Sequence, residues 1–285
     1  MGHAQATTKD LHERVFREGS KTYFNSSRFF PPDTRQDVYV LYGFVRVADN
    51  FVDAVPQQAD EFAAFKERYH RGVQGEQTGD PIIDSYVDLA GRRGFDPGWT
   101  DAFLRSMEWD LTKQIYHTVE ETLDYVYGSA EVVGLFMARI LGLPREAEES
   151  AAMLGRAMQF INFIRDIDED NGLGRTYLPM DETSLPNLRE ETARRNPEEF
   201  TRFLRRQLER YRGWQAQAEA GYRYLPRRFL VPIKTAGDMY NWTGAQIAAD
   251  PFVVFQRKVK PDRRRIVFRG LRNAVFPRWG LLSHA

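Results

Sequence analysis

The sequence predicts an all-α protein. Apolar residues recur at helical spacing almost throughout its 285 residues, alternating β-type runs are scarce, and no Ser/Gly linker, low-complexity tract or short-period repeat divides it. One domain over 1–285 is the economical reading, with 257–285 as a basic, aromatic tail.

The elements follow in order. Pro31-Pro32-Asp33 stops one segment and restarts the next: the prolines end a helix and Asp33 is suited to cap the following one. Val38, Leu41, Tyr42, Val45 and Val52 then give a buried stripe that runs toward Pro56. Further helices are expected over about 59–73, 82–93, 98–114, 118–142, 146–171, 197–219 and 229–249. Thr118 with Glu121 is a capping-box pattern, and Gly142 with Pro144 punctuates that helix's end. Asn171 to Arg195 carries Gly172, Gly174, Pro179 and Pro186 among charged residues and reads as a loop with one short turn. Because it follows an acidic helix end directly, it is placed to fold over whatever that end binds.

Composition excludes several classes of function. Cysteine is absent, so disulfides, iron–sulfur clusters, thiolate zinc sites and thiol nucleophiles are excluded together. The five histidines, His3, His12, His70, His117 and His284, have no metal-type spacing, and no P-loop or nucleophile elbow occurs. His117 reads as a surface or satisfied core residue. The longest apolar run, Val132 to Ala138, falls well short of the ~20 residues of a spanning helix, and no signal-like stretch opens the chain. A cytoplasmic protein is expected.

Two acidic clusters remain, Asp49-Asn50-Phe51-Val52-Asp53 and Asp166-Ile167-Asp168-Glu169-Asp170. At about 100° per residue, Arg46, Asp49 and Asp53 fall within roughly 60° of one another, and Gln159, Asn162, Asp166 and Asp170 within about 80°. Carboxylates spaced i, i+4 on an otherwise apolar helix repel one another and are costly to bury unless a cation joins them. Mg²⁺ suits such oxygen ligands, with substrate phosphates completing its shell. Two such stripes across a cavity would hold diphosphates, with Lys21, Arg46, Arg165 and Arg175 neutralising the remaining charge. A single D-x-x-x-D is more often a solvated helix face; the pair, flanked by apolar positions, is what favours a metal site.

Leu154-Gly155-x-x-x-Gln159-x-x-Asn162-Phe163-x-Arg165-Asp166-Ile167-x-x-Asp170, followed by Arg175-x-Tyr177-x-Pro179, resembles the long second signature of the squalene and phytoene synthase family. Ser20-Lys21-Thr22-Tyr23 resembles its N-terminal Ser-x-Ser-Phe segment. Leu41 to Asp53 resembles the tyrosine-rich helix that ends in the first aspartate motif, and Tyr125 to Gly134 a further fixed segment. The resemblance spans about residues 15–258. Three positions depart from the pattern: Asn50 replaces an aspartate, Glu131 a small residue, and Val126 a small residue or cysteine.

The resemblance implies a single-domain isoprenoid-synthase fold, a helical bundle around a hydrophobic cavity, and head-to-head condensation of two allylic diphosphates. It implies Asp49, Asp53, Asp166, Asp170, Tyr125, Arg175 and Tyr177 as catalytic groups. Ser20, Lys21, Arg46, Gln159, Asn162 and Arg165 would bind diphosphate, and Asp49, Asp53, Asn162, Asp166 and Asp170 would hold Mg²⁺, with Mn²⁺ an alternative. Arg175 and Tyr177 would lie on a lid. Phe24, Phe29, Tyr39, Tyr42, Phe44, Phe160, Tyr177 and Phe252 are candidates for the cavity wall, although each alone is more commonly core.

No glycine-rich dinucleotide fingerprint occurs, so no nicotinamide cofactor is expected. Ser26 and Ser27 are small where a bulky residue would shorten the tunnel, which favours two C20 units and phytoene over two C15 units and dehydrosqualene or squalene. A terpene cyclase would show Asn-Asp-x-x-Ser-x-x-x-Glu, which does not occur. A non-catalytic relative serving as an assembly factor is the alternative of another class, although such a relative is expected to lose acids that this chain keeps.

The charge balance of 40 basic against 40 acidic residues conceals two opposed regions. Residues 257–285 hold nine basic residues and one acidic one, a net +8, and the remainder is −8. Phe268, Leu271, Val275, Phe276, Trp279, Leu281 and Leu282 are interleaved with that charge. The tail is either packed on an acidic body, disordered, or a peripheral attachment to the cytoplasmic face of an anionic membrane.

Overall fold

The computed structural model describes residues 11–18 and 30–276. Helices dominate, and the only β pairing among these residues is an isolated parallel bridge between Ile115 and Thr176. The chain divides into two compact units, residues 1–112 with 135–143, and residues 113–134 with 144–285.

In the first unit, α1 covers 11–18 and α2 covers Pro32–Asp53. Pro32 occupies the first helical turn with Pro31 as N-cap, so Asp33 lies inside the helix and favours its positive end rather than capping it. Three helices follow, α3 (Ala59–Val73), α4 (Pro81–Arg93) and α5 (Pro97–Thr112). The Asp80 side chain caps α4 by accepting from the Ile82 and Ile83 amides, and Gly94 in the left-handed region ends it. The core of this unit is aromatic: Phe44 stacks on Tyr86 at 3.8 Å, with Phe65 and Phe103 around it. Asp37 is buried on α2 and is neutralised by Arg92 and Arg93.

In the second unit, the region expected as one helix over 118–142 is instead α6 (Val119–Val126), a π-helical turn over Tyr127–Glu131, and α7 (Val132–Ile140), which continues into residues of the first unit. Thr118 caps α6 as expected by accepting from the Glu121 amide, while the Glu121 carboxylate accepts from His117 N–H, one residue earlier than in a standard capping box. Helix α8 (Glu148–Arg165) crosses this turn at backbone distance. A Cβ on Gly155 would lie 2.3 Å from the Ala130 carbonyl oxygen, and one on Gly134 would lie 2.2 Å from that of Ala151. Only glycine permits that approach.

The helix expected over 146–171 is bent. The backbone of Asp166 leaves helical geometry (φ −101°, ψ 17°) and α9 (Ile167–Gly172) continues beyond it. Hydrogen bonds flank the bend on both sides, from Asp166 N–H to Asn162 O and from Asp170 N–H to Asp166 O, both 2.8 Å. After α10 (Glu190–Arg195) come α11 (Pro197–Glu219), α12 (Arg227–Ala249), the short α13 (Val253–Gln256) and α14 (Arg263–Val275). Helix α14 was not expected from the sequence.

Candidate active site

Each aspartate motif belongs to a different unit. On α2, Arg46 Nη1 donates to Asp49 Oδ2 at 2.6 Å, and both side chains remain about one-third exposed. Asp53 is the last residue of α2 and is exposed. A carboxylate at the negative end of a helix, with no basic residue in the last turn, opposes the helix dipole. Tyr42, one turn upstream of Arg46, stacks on Phe16 at 4.1 Å. Burial raises its hydroxyl pKa, Arg46 lowers it and Asp49 raises it, which places the phenol within the field of the acidic stripe.

The second motif is richer. Arg165 grips the Asp166 carboxylate through Nε to Oδ1 at 2.8 Å and Nη2 to Oδ2 at 2.5 Å. Lys258, just past α13, lies 3.5 Å from Asp166 Oδ1 and also pairs with Glu169. Lys260 joins this group: partial burial, then Lys258 and Arg165, lower its pKa. In the sequence both lysines count only toward the tail charge, since no local pattern links them to a helix some 90 residues upstream.

Asn162 tests whether this face suits a metal. Its Oδ1 is buried with no hydrogen-bond partner, and its Nδ2 makes only a long 3.5 Å contact with Gln159. A buried amide oxygen without a donor is costly, and a divalent cation would satisfy it. Among the described residues no three acidic or histidine side chains form a ready-made cage.

Asp170 lies one turn beyond Asp166 and shares a small cleft with Phe163, Ile167, Arg175, Tyr177 and Leu188. Arg175 is buried; its amide donates to Asp170 O at 2.9 Å and its Nη1 to the Tyr177 hydroxyl at 3.3 Å. Tyr177 stacks on Phe163 at 4.5 Å and packs against Tyr125 at 4.9 Å and Tyr116 at 5.5 Å. Four aromatic rings thus adjoin the acidic bend.

The segment after α9 is more fixed than an open loop. Tyr116 N–H donates to Thr176 O, Thr176 N–H to Gln114 O, and Met180 N–H to Tyr116 O, while Thr122 Oγ1 holds Tyr177 O at 2.8 Å. It also contains a 3₁₀ turn at Met180–Glu182 and all of α10.

The structure thus assembles Gln159, Asn162, Arg165, Asp166, Asp170, Tyr125, Arg175 and Tyr177 in the second unit, and Arg46, Asp49 and Asp53 on α2. Ser20 and Lys21, with Phe24, Ser26, Ser27 and Phe29, lie outside the described residues. Phe44 and Phe160 are fully buried in aromatic core, against Tyr86 and Trp214, and Phe252 packs on Phe200. These three are packing residues. Glu131 is buried and compensated: Arg156 Nε donates to it at 2.7 Å and stacks over Trp214.

The family profile described as Squalene/phytoene synthase matches residues 16–265. A phytoene synthase of Pseudescherichia vulneris is 30% identical over 86% of this chain and 84% of its own. The 15-cis-phytoene synthase of Enterobacter agglomerans is 31% identical over 80% and 82%. A dehydrosqualene synthase crystal structure superposes with a TM-score of 0.84 at 18% identity, covering 97% of this chain and 99% of that one. A squalene synthase of Alicyclobacillus acidocaldarius superposes with a TM-score of 0.74 at 22% identity, covering 90% and 96%. The fold is that of the all-α isoprenoid synthases. The chain belongs to the squalene/phytoene synthase family, a family of prenyltransferase-type enzymes.

Proposed function

We propose that the protein condenses two geranylgeranyl diphosphates head to head into phytoene, through a cyclopropylcarbinyl diphosphate. The observation that supports this most is the Asn162–Asp166–Asp170 face, where an unsatisfied amide oxygen and two carboxylates lie beside buried Arg175 and an aromatic cluster. The C20 chain length is supported by the relatives named as phytoene synthases.

Asp49 and Asp53 on one motif, and Asn162, Asp166 and Asp170 on the other, would hold Mg²⁺, which supplies positive charge to the departing diphosphate. Arg46, Arg165 and Arg175 carry guanidinium groups suited to phosphate oxygens. Because Arg46 and Arg165 grip Asp49 and Asp166, substrate entry exchanges those contacts for phosphate. The allylic C–O bond of one substrate breaks and its electron pair leaves with diphosphate; the second substrate's alkene attacks the cation, and loss of a proton closes the cyclopropylcarbinyl diphosphate. The second diphosphate then departs, and rearrangement with loss of another proton gives phytoene. Phe163, Tyr177, Tyr125 and Tyr116 offer π faces that tolerate cationic carbon, and their close packing excludes water. The Tyr177 hydroxyl is held by Arg175, so its ring is positioned at both ends.

The deciding experiment supplies purified protein and Mg²⁺ with geranylgeranyl or farnesyl diphosphate separately and identifies the hydrocarbon by mass. A C40 product from the C20 substrate is expected. A C30 product alone would assign the chain to the dehydrosqualene type.

A further inference from the structure

Helix α14 is docked by the face that an amphipathic helix normally turns outward. On α12, Asp238 accepts from Arg269 through Nε at 2.7 Å and Nη2 at 3.0 Å, and from Asn273 Nδ2 at 2.7 Å. Asn273 also reaches Thr235 Oγ1 at 3.1 Å and is 3% exposed. Arg265 lies over the Trp242 ring, and Arg227 donates to the Ala274 carbonyl. Polar contacts therefore fix the helix beside the part-buried Ile266, and four of its large apolar residues point away. Val267, Phe268, Leu271 and Val275 are 53%, 70%, 64% and 65% exposed.

The pattern is continuous. Of the ten large apolar side chains exposed among the described residues, five lie within 267–276, whereas the others are scattered singly. At about 100° per residue, Val267, Leu271, Val275 and Phe268 occupy one stripe of roughly 100°, and Arg269 and Asn273 lie on the opposite side. Arg263 and Arg272 fall on the two margins, roughly 90° from the stripe's centre, and Arg264 lies at its N-terminal end. An apolar centre with cationic margins is the layout of a helix lying in a lipid interface.

We propose that the outward face of α14 docks on an anionic lipid bilayer. Val267, Phe268, Leu271 and Val275 enter the headgroup boundary, and Arg263, Arg264 and Arg272 contact lipid phosphates. Charge selects this partner over a second copy of the chain. Residues 263–276 contain five arginines and no acid, so a two-fold pairing of this face would bring arginines together. The nearest carboxylate on α12, Asp238, is already committed to Arg269 and Asn273. No helix among the described residues is long and apolar enough to cross a membrane, so the contact is peripheral.

The test is sedimentation of the full chain with phosphatidylglycerol/phosphatidylcholine vesicles and with phosphatidylcholine vesicles, without substrate, so the outcome is independent of the proposed chemistry. Binding to the anionic vesicles is expected, reduced about tenfold by F268S/L271S, by R263Q/R264Q and by raised salt. Thermal unfolding checks that both variants fold; their substitutions are all at exposed positions. Wild-type-like binding by both folded variants would overturn the proposal, as would failure to bind either vesicle. A concentration-dependent dimer abolished by F268S/L271S would instead assign the face to a second copy.

Discussion

Arg165 and Asp166, consecutive in sequence at the bend between α8 and α9, form a two-point ion pair, with Nε–Oδ1 at 2.8 Å and Nη2–Oδ2 at 2.5 Å. The bend makes this possible. Neighbouring side chains on a straight helix diverge by about 100°, and the non-helical backbone of Asp166 brings the two groups together. In the proposed chemistry this pair is a resting arrangement: the carboxylate is held ready, and the guanidinium turns to phosphate when substrate arrives. Asp166→Asn preserves shape and removes the charge. Turnover should fall by about 100-fold or more at saturating substrate and Mg²⁺, with an unchanged circular dichroism spectrum. Wild-type turnover in this variant would remove Asp166 from the mechanism.

Asn162 gives a finer test of metal binding. Its Oδ1 has no donor, so Asn162→Ala removes a ligand without breaking a hydrogen bond at that atom. The Mg²⁺ concentration for half-maximal rate should rise about 10- to 100-fold, the scale on which groups supporting a metal site act. Thermal stability should stay level or rise, because an unsatisfied buried oxygen is removed. A marked loss of stability with an unchanged Mg²⁺ requirement would show the residue to be structural.

Glu131 and Arg156 should behave as a coupled pair. Arg156→Ala leaves a buried carboxylate alone and is expected to cost about 3 kcal/mol, with a smaller loss in the double variant E131Q/R156A than the two single losses combined. Urea unfolding of the four proteins measures the coupling, and strict additivity would contradict the pairing.

His12 should make stability depend on pH. Burial lowers its pKa from 6.5 to about 4, and neither ring nitrogen has a hydrogen-bond partner among the described residues. The unfolded chain therefore binds a proton at a pH where the folded chain does not. The contribution is fully present above pH 6.5 and is lost as pH falls toward 4, up to about 3 kcal/mol in all. Urea midpoints at pH 7 and pH 5 should differ more for the wild type than for His12→Leu. Equal differences would contradict the assignment.

Gly155 measures the close crossing of α8 over the π turn. A Cβ there would meet the Ala130 carbonyl oxygen at 2.3 Å, so Gly155→Ala should destabilise by about 3 kcal/mol, although alanine is the better helix former. A rise in melting temperature would show that the crossing is loose.

Much of this was legible in the sequence, for physical reasons that differ by element. Helices α3 and α11 match their expected bounds because their apolar stripes are regular and end at clear stops. The π turn at 127–131 was not legible, because Tyr127-Gly128-Ser129-Ala130-Glu131 holds too few apolar residues to reveal a one-residue change of spacing. The bend at Asp166 was hidden because the residues keep helical spacing on either side of it, in α8 and in α9. Lys258 and Lys260 were visible only as charge, since their proximity to Asp166 depends on tertiary structure. Helix α14 escaped because it docks through Arg269 and Asn273, and hydrophobic periodicity carries no signal for a polar docking face.

The most direct measurement is product formation from geranylgeranyl diphosphate by protein freed of divalent metal with a chelator and then restored with Mg²⁺. No hydrocarbon is expected before restoration, and a C40 hydrocarbon with release of two diphosphates afterwards. No hydrocarbon from either geranylgeranyl or farnesyl diphosphate, with Mg²⁺ present and the fold intact, would contradict it.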